Sequence, residues 1–247
     1  MSGTTSTPPG APGAPCPVCR GTGFVREEAN GRSAVRPCAC RLAERARLRL
    51  AQSGIPARYE HCTWEEFSPL NASLREALRL ARQTVDQFPG GNRGLLLCGP
   101  CGVGKTHLAV AALRQMVLER GAKGLFAEFT RLLRSIQDGF DRRSETPSFA
   151  VLQPAIDADV LVLDDLGCQR ATPWAMETLG LIVNERYNGQ RLTIITTNRV
   201  FDPPPGEESL AERIGERLAS RLAEMCLTVR VDGGDFRRNV KAAQFRI

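Results

Sequence analysis

A glycine-rich run at residues 99–106, GPCGVGKT, has the residue types and the spacing of a phosphate-binding loop. Its glycines allow backbone N–H groups to face the phosphates of a nucleotide, and the N-terminus of a following helix adds a positive dipole end. We expect Lys105 to contact the β and γ phosphates and Thr106 to hold Mg²⁺. The apolar residues LLLC precede the run and helix formers follow it, as this motif requires. The predicted ATP-binding residues are Gly99, Pro100, Cys101, Gly102, Val103, Gly104, Lys105, Thr106 and His107.

Two adjacent carboxylates, Asp164 and Asp165, directly follow the apolar residues VLVL. A central strand of this kind delivers carboxylates to the carboxyl edge of a parallel sheet, where nucleotides bind. We expect Asp164 to bind Mg²⁺ and Asp165 to orient and deprotonate the attacking water. Many ATPases have a glutamate at the second position, so the shorter aspartate predicts slow hydrolysis. An isolated Asp pair is more often an acidic cap on a strand, but its order after a phosphate loop favours catalysis.

Further polar residues follow the next apolar run, LTIITT. Asn198 is predicted to contact the γ-phosphate or the water, although an isolated asparagine after a strand is usually a turn former. Arg213, Arg217 and Arg221 are spaced by four residues, so they are predicted to share one helix face and to present a guanidinium to phosphate. A solvated basic stripe is the alternative interpretation.

Four cysteines near the N-terminus form a CxxC pair and a CxC pair. Four thiolates satisfy a tetrahedral structural Zn²⁺, and the glycines after the first pair allow backbone N–H groups to face the sulfurs. We expect the segment between the pairs to be a polar loop. A redox pair without metal is less favoured, because no thioredoxin-like βαβ pattern surrounds the cysteines. The predicted zinc ligands are Cys16, Cys19, Cys38 and Cys40.

The remaining cysteines predict packing rather than chemistry. Cys98, Cys168 and Cys226 fall in or beside expected core elements, where a single cysteine is normally a small buried hydrophobe. His61 and Cys62 precede the expected core and are also interpreted as packing residues.

The elements that must position these groups alternate between strand and helix. Such alternation predicts an α/β fold with a mostly parallel sheet covered by helices. Two helices precede it, at residues 41–52 and 73–88, and the second has an apolar stripe of Leu74, Ala77, Leu78, Ala81 and Val85. We expect strands at residues 94–98, 124–128, 160–163, 192–196 and 227–231, and helices at residues 105–120, 130–140, 172–188 and 207–225.

The chain length of 247 residues suits one medium α/β domain with a small appendage. The expected organisation is a disordered tail at residues 1–15, a zinc-binding module with a linker helix at 16–52, and an ATPase domain at 53–247.

The net charge of +6 favours a polyanionic partner such as nucleic acid. A GC-rich genome, which favours arginine codons, explains the charge equally well. Because no apolar run reaches the roughly 18 residues of a membrane span, we expect a cytoplasmic protein with reduced thiols and no membrane partner.

The segment IPARYEHCTWEEF is followed along the chain by GPCGVGKTHLA, VLVLDDLG, TIITTNR and GERLASRL. These motifs, in this order, resemble those of the AAA+ ATPases that comprise the bacterial replicative helicase loaders, DnaC and DnaI, and the IstB transposition helper. The resemblance covers residues 55–247 and implies an AAA+ P-loop NTPase domain. DnaI resembles this chain in also having an N-terminal zinc module.

The resemblance implies further site residues. Arg221 corresponds to the arginine finger, with Arg217 as the fallback, and Arg237 resembles a second sensor arginine near the C-terminus. Asp164 and Asp165 correspond to the Walker B pair and Asn198 to the first sensor. Cys101 stands where the family varies, and a thiol there would make nucleotide binding sensitive to oxidation.

The resemblance also implies a function. The N-terminal part would engage a hexameric DNA helicase, and the ATPase part would bind single-stranded DNA and use ATP, with Mg²⁺, as a switch. We expect DNA contact at the helix of residues 130–140, which has Arg131, Arg134 and Phe140. An arginine finger acting between subunits would require ATP-dependent self-assembly.

Two other functions remain open at this stage. An IstB-like helper of DNA transposition shares the same motifs, although the zinc module favours the loader. A zinc-containing DNA-binding regulator with a silent ATPase is the third class, because an aspartate replaces the usual glutamate at residue 165.

Overall fold

The computed structural model describes residues 15–29, 32–91, 93–139, 148–168 and 172–239. The chain forms two compact units, Met1–Arg49 and Leu50–Ile247. All but the last residue of the expected N-terminal tail lies outside the described residues. None of the helices in the described part of the chain combines the length and the apolar character that a bilayer span requires.

The N-terminal unit contains an antiparallel hairpin between its cysteine pairs. Strands β1 (Phe24–Ala29) and β2 (Arg32–Pro37) pair along their whole length, and helix α1 (Ala39–Gln52) follows. The expectation of a loop between the cysteine pairs was therefore wrong. The strands bury almost none of their side chains, so they lack the alternation of apolar and polar residues that would have revealed them.

The larger unit is built on a five-stranded, fully parallel sheet in the order β4-β5-β6-β3-β7. This arrangement confirms the α/β fold class. Parallel pairing brings the carboxyl ends of all five strands to one edge of the sheet. The strands are β3 (Gly94–Cys98), β4 (Gly124–Glu128), β5 (Val160–Leu166), β6 (Leu192–Thr197) and β7 (Cys226–Arg230).

Two apolar clusters cover the two faces of this sheet. Alternate residues of β5 belong to different clusters, Val162 to one and Leu161 to the other, because side chains alternate along a strand. Helices α2 (Ala72–Gln87) and α3 (Lys105–Arg120) pack on the first face, and the predicted apolar stripe of α2 is buried or half-buried there. The other helices are α4 (Phe129–Asp138), α5 (Ser148–Asp157), α6 (Pro173–Asn188), α7 (Leu210–Ile214), α8 (Glu216–Met225) and α9 (Phe236–Asn239).

Two helical expectations need correction. Helix α5 was not predicted, because Pro154 interrupts a short apolar sequence that has no clear helical period. The single helix expected at residues 207–225 is two helices, because Gly215 has φ +85° between α7 and α8. Arg213 therefore does not share a helix face with Arg217 and Arg221.

Arg186 of α6 is the largest fully buried side chain among the described residues. Its guanidinium donates to Oγ1 of Thr193 at 2.9 Å and to the backbone carbonyls of Ala155, Ile156, Ala158 and Leu192 at 2.6–3.1 Å. Burial lowers the pKa of Arg186 to about 9. The side chain thus satisfies the C-terminal carbonyls of α5 and attaches that helix to β6.

We expect Arg186→Met to lower the free energy of unfolding by about 3 kcal/mol, because buried carbonyls would lose their hydrogen-bond donors. Urea unfolding measures the change. Arg75→Met is the matched control, since Arg75 is exposed on α2, and its effect should stay within about 0.5 kcal/mol. Equal stability of the two variants would contradict this role of Arg186.

Candidate functional site

The phosphate-binding loop joins the buried strand β3 to helix α3. Gly99, Gly102 and Gly104 have φ values of +147°, +78° and +102°, which side chains rarely tolerate. A Cβ at Gly99 would lie 2.0 Å from the carbonyl oxygen of Val231, so this position also requires a glycine for space. The glycines of the sequence motif therefore occupy positions that need them.

Lys105 is 7% exposed at the first turn of α3. Its ammonium donates to the carbonyl oxygens of Gly99 and Pro100 and to Oδ1 of Asn198, at 2.7, 2.6 and 2.8 Å. Burial lowers the pKa of Lys105, and the nearby negative groups oppose this shift. The structure thus brings the predicted lysine and the predicted sensor asparagine into direct contact.

Asp164 lies at the carboxyl end of β5, where Oδ1 accepts hydrogen bonds from Oγ1 of Thr106 at 2.9 Å and Oγ1 of Thr196 at 2.7 Å. Burial raises the pKa of this carboxyl group, and the two hydroxyl donors oppose the shift. Hydroxyl and carboxylate oxygens are hard ligands of the kind that Mg²⁺ prefers. Thr106 and Asp164 therefore fit a magnesium site beside the phosphate loop.

Asp165 lies in a bulge of β5, where the pairing with β6 shifts between Leu163 and Leu166. Its φ is +63°, and its N–H donates to Oγ1 of Thr196 at 2.9 Å. In a regular strand, the side chains of two adjacent residues point to opposite faces of the sheet. The bulge changes the direction of Asp165, so that both aspartate side chains lie at the carboxyl edge of the sheet.

Cys168 is exposed, so its interpretation as a buried packing residue was wrong. Its thiol donates to Oδ1 of Asp165 at 2.9 Å and accepts from Nδ2 of Asn198 at 3.4 Å. Sequence reasoning missed this residue because nothing in its spacing distinguishes it from a core cysteine. Cys98 and Cys226 are buried as expected.

The segment before α2 packs on the start of α3. A Cβ at Gly104 would lie 2.8 Å from the ring of Phe67, and Nε2 of His107 lies 2.7 Å from the carbonyl oxygen of Thr63. Burial lowers the pKa of His107. Cys62 is buried as expected, whereas His61 is exposed and contacts the His107 ring edge-on.

The segment just before Arg237 packs on the phosphate loop. The N–H of Phe236 donates to the carbonyl oxygen of Gly102 at 3.0 Å, and a Cβ at Gly102 would lie 2.1 Å from Oδ1 of Asp235. This packing brings the segment containing Arg237 to the phosphate loop, and the side chain of Arg237 is exposed.

The two candidate finger arginines differ in their surroundings. The guanidinium of Arg221 donates to Oδ1 of Asn184 and lies 5.9 Å from the ring centroid of Tyr187, both on α6. Arg217 is exposed one turn earlier on α8. Arg213 of α7 is paired with Glu208 at 2.7 Å.

The four N-terminal cysteines converge as predicted, with all four sulfurs within 4.8 Å of one another. None of the four forms a disulfide. Burial raises the pKa of the Cys19 thiol, but hydrogen bonds, first from the N–H of Gly23 and then from Cys40, outweigh it and lower the pKa to about 6. A compact set of four sulfurs fits a structural zinc ion.

The parallel sheet, the phosphate loop and the carboxylates at its edge define a P-loop ATP-binding protein of the AAA+ class. Within that class, the chain belongs to the family of IstB-like ATP binding proteins, whose match spans residues 42–244.

Proteins similar to this chain include helicase loaders. The replicative helicase loader DnaC of Escherichia coli (strain K12) is 29% identical over 171 residues, which is 69% of this chain and 66% of that protein. The match thus spans just under two thirds of the relative. A crystal structure of the DnaC helicase loader has a TM-score of 0.64 and 34% identity, covering 72% of this chain and 100% of that chain. A crystal structure of DnaI shares the fold, with a TM-score of 0.60 and 22% identity over 76% and 98% of the two chains.

Purified protein should contain about one zinc ion per chain, because four cysteines complete a tetrahedral site. Cys16→Ser combined with Cys19→Ser should abolish the zinc content, measured by inductively coupled plasma mass spectrometry. Cys101→Ser, an exposed cysteine outside the cluster, should retain it. Zinc retained in the double variant would disprove the site.

Proposed function

We propose that this chain is an ATP-hydrolysing protein that loads a replicative DNA helicase onto single-stranded DNA. The observation that carries the proposal is the convergence of Lys105, Asp164, Asp165 and Asn198 at one edge of the sheet, in a chain that is 34% identical to the DnaC helicase loader of known structure. This similarity supports a loader over a transposition helper. A protein with this function acts in the cytoplasm.

Each site residue has a distinct part in ATP hydrolysis. Lys105 exchanges its bonds to the loop carbonyls for the β and γ phosphates, and the loop N–H groups hold the phosphate oxygens. Thr106 and Asp164 would hold Mg²⁺, and the ion would supply positive charge beside the phosphates. Asp165 accepts a proton from the attacking water, and Asn198 orients the γ-phosphate or that water.

Hydrolysis is slow in this proposal and serves as a switch. The ammonium of Lys105 must leave three acceptors before it contacts phosphate. The side chain of Asp165 is one methylene shorter than the glutamate of many ATPases, so it holds the water less closely. Binding and release of nucleotide would therefore control the partner more than turnover does.

An arginine from a neighbouring subunit completes the site in this proposal. Arg221 corresponds to the finger by resemblance, but its guanidinium is engaged by Asn184. Arg217 is exposed on the same helix and is free of such a bond among the described contacts. We therefore favour Arg217 for the contact between subunits, and Arg237 for a contact with the nucleotide of its own subunit.

The DNA and helicase contacts fall on different parts of the chain. Arg131 and Arg134 are exposed on α4, which suits contact with a phosphate backbone. Phe140, the aromatic residue expected to stack on bases, lies outside the described residues. The N-terminal cysteine unit is the part that we assign to the helicase.

Wild-type protein should hydrolyse ATP, and Lys105→Ala should lower turnover about 100-fold or more, because a cation facing the reacting phosphates is lost. Phosphate release is measured with and without single-stranded DNA. Lys123→Ala is the matched control, because Lys123 is exposed and precedes β4 at the opposite edge of the sheet. Its turnover should equal that of wild type. If neither wild type nor Lys105→Ala hydrolysed ATP, the proposed ATPase activity would be excluded.

The protein should capture the purified replicative helicase of its own organism when ATP is present. Cys16→Ser combined with Cys19→Ser should lose the capture, whereas Lys123→Ala should retain it. Co-purification from a lysate identifies competing partners by mass spectrometry. If a transposase were recovered and the helicase were not, the function of a transposition helper would replace that of a helicase loader.

A further inference from the structure

A single thiol connects the ends of two neighbouring strands at the nucleotide site. The Sγ atom of Cys168, three residues beyond Asp165, lies 2.9 Å from the Oδ1 atom of Asp165 and 3.4 Å from the Nδ2 atom of Asn198. Oδ1 of the same asparagine accepts from the Lys105 ammonium at 2.8 Å. A continuous chain of hydrogen bonds therefore runs from the lysine through the asparagine and the thiol to the carboxylate.

The Asp165 carboxylate depends on this thiol for its orientation. The backbone of Asp165 is held by the bulge and by its N–H bond to Thr196. The carboxylate of Asp165 is held less firmly than its backbone, because the Cys168 thiol is its only hydrogen-bond donor within the described residues. Without that donor, the side chain can rotate away from the place where water attacks.

The thiol is in the protonation state that this arrangement needs. Burial, and then the hydrogen bond and charge of Asp165, raise the pKa of Cys168 to about 11. The group is thus a thiol at neutral pH, with one proton to donate to Asp165 and lone pairs to accept from Asn198. An alanine at this position could do neither, whereas a serine could do both.

We propose that Cys168 is a positioning residue for ATP hydrolysis, whose thiol holds the Asp165 carboxylate in place relative to Asn198. The inference rests on the proposed ATPase function and adds a residue to its machinery. Cys168 does not contact the reacting atoms itself. Its contribution is to join the group that accepts the proton to the group that senses the phosphate.

The first test is the series Cys168→Ala and Cys168→Ser. Loss of the donor should lower kcat by about 3- to 10-fold, which corresponds to one hydrogen bond of ordinary strength, because a thiol is a weak donor. The affinity for a fluorescent ATP analogue should stay within about twofold, since phosphate binding by the loop is unchanged. Cys168→Ser should restore most of kcat. Loss of kcat in the serine variant equal to that in alanine would overturn the proposal.

The second test separates positioning from a purely structural effect. In an Asp165→Asn background, Cys168→Ala should cause no further loss of kcat, because there is no carboxylate left to position. An additional loss of 3-fold or more, or a marked drop in melting temperature for Cys168→Ala, would assign the residue to stability instead.

The outcomes for the two proposals differ. If wild-type protein shows no turnover that depends on Lys105, the ATPase proposal fails and the role of Cys168 fails with it. If wild type hydrolyses ATP and Cys168→Ala matches it in kcat, only the role of Cys168 fails.

Discussion

Parallel pairing of β3 with β6 and of β6 with β5 is the constraint on which the site depends. Because parallel strands end at the same edge, the phosphate loop after β3, the aspartates of β5 and Asn198 after β6 must meet there. Residues that are far apart in the chain thereby form direct contacts, such as Thr106 with Asp164 and Lys105 with Asn198. Helices pack on both faces of the sheet that carries this edge.

Burial gives these contacts their electrostatic character. Lys105 and Asp164 are both nearly inaccessible to solvent. Burial lowers the pKa of Lys105 and raises the pKa of Asp164, so it favours the neutral form of each group. Charged groups removed from water need partners, and here carbonyl, amide and hydroxyl groups supply them. A nucleotide with Mg²⁺ offers each group a partner of opposite charge. Without a ligand, the groups of the site satisfy one another by hydrogen bonds.

The parts of the fold that the sequence revealed are those with a strong local pattern. Helix α2 has an apolar residue at every third or fourth position, and strands β3, β5 and β6 are continuous apolar runs. The phosphate loop has a cluster of glycines. Each of these patterns lies within one element, so it can be recognised without knowledge of the rest of the fold. The missed parts have no such pattern. The hairpin β1–β2 is exposed on both faces, α5 contains Pro154, and the division of α7 from α8 depends on the conformation of one glycine.

By itself, the sequence determined the chemistry available to this protein: a lysine and a threonine behind a glycine loop, two aspartates after a strand, and four cysteines in two pairs. Only the tertiary structure decided how those groups act on one another. The β5 bulge turns Asp165 to the same edge as Asp164, the burial of Arg186 attaches α5 to β6, and the exposed thiol of Cys168 reaches Asp165 and Asn198. The physical reason is that a hydrogen bond or a desolvated charge depends on distances between strands, and residue spacing along one chain does not specify those distances.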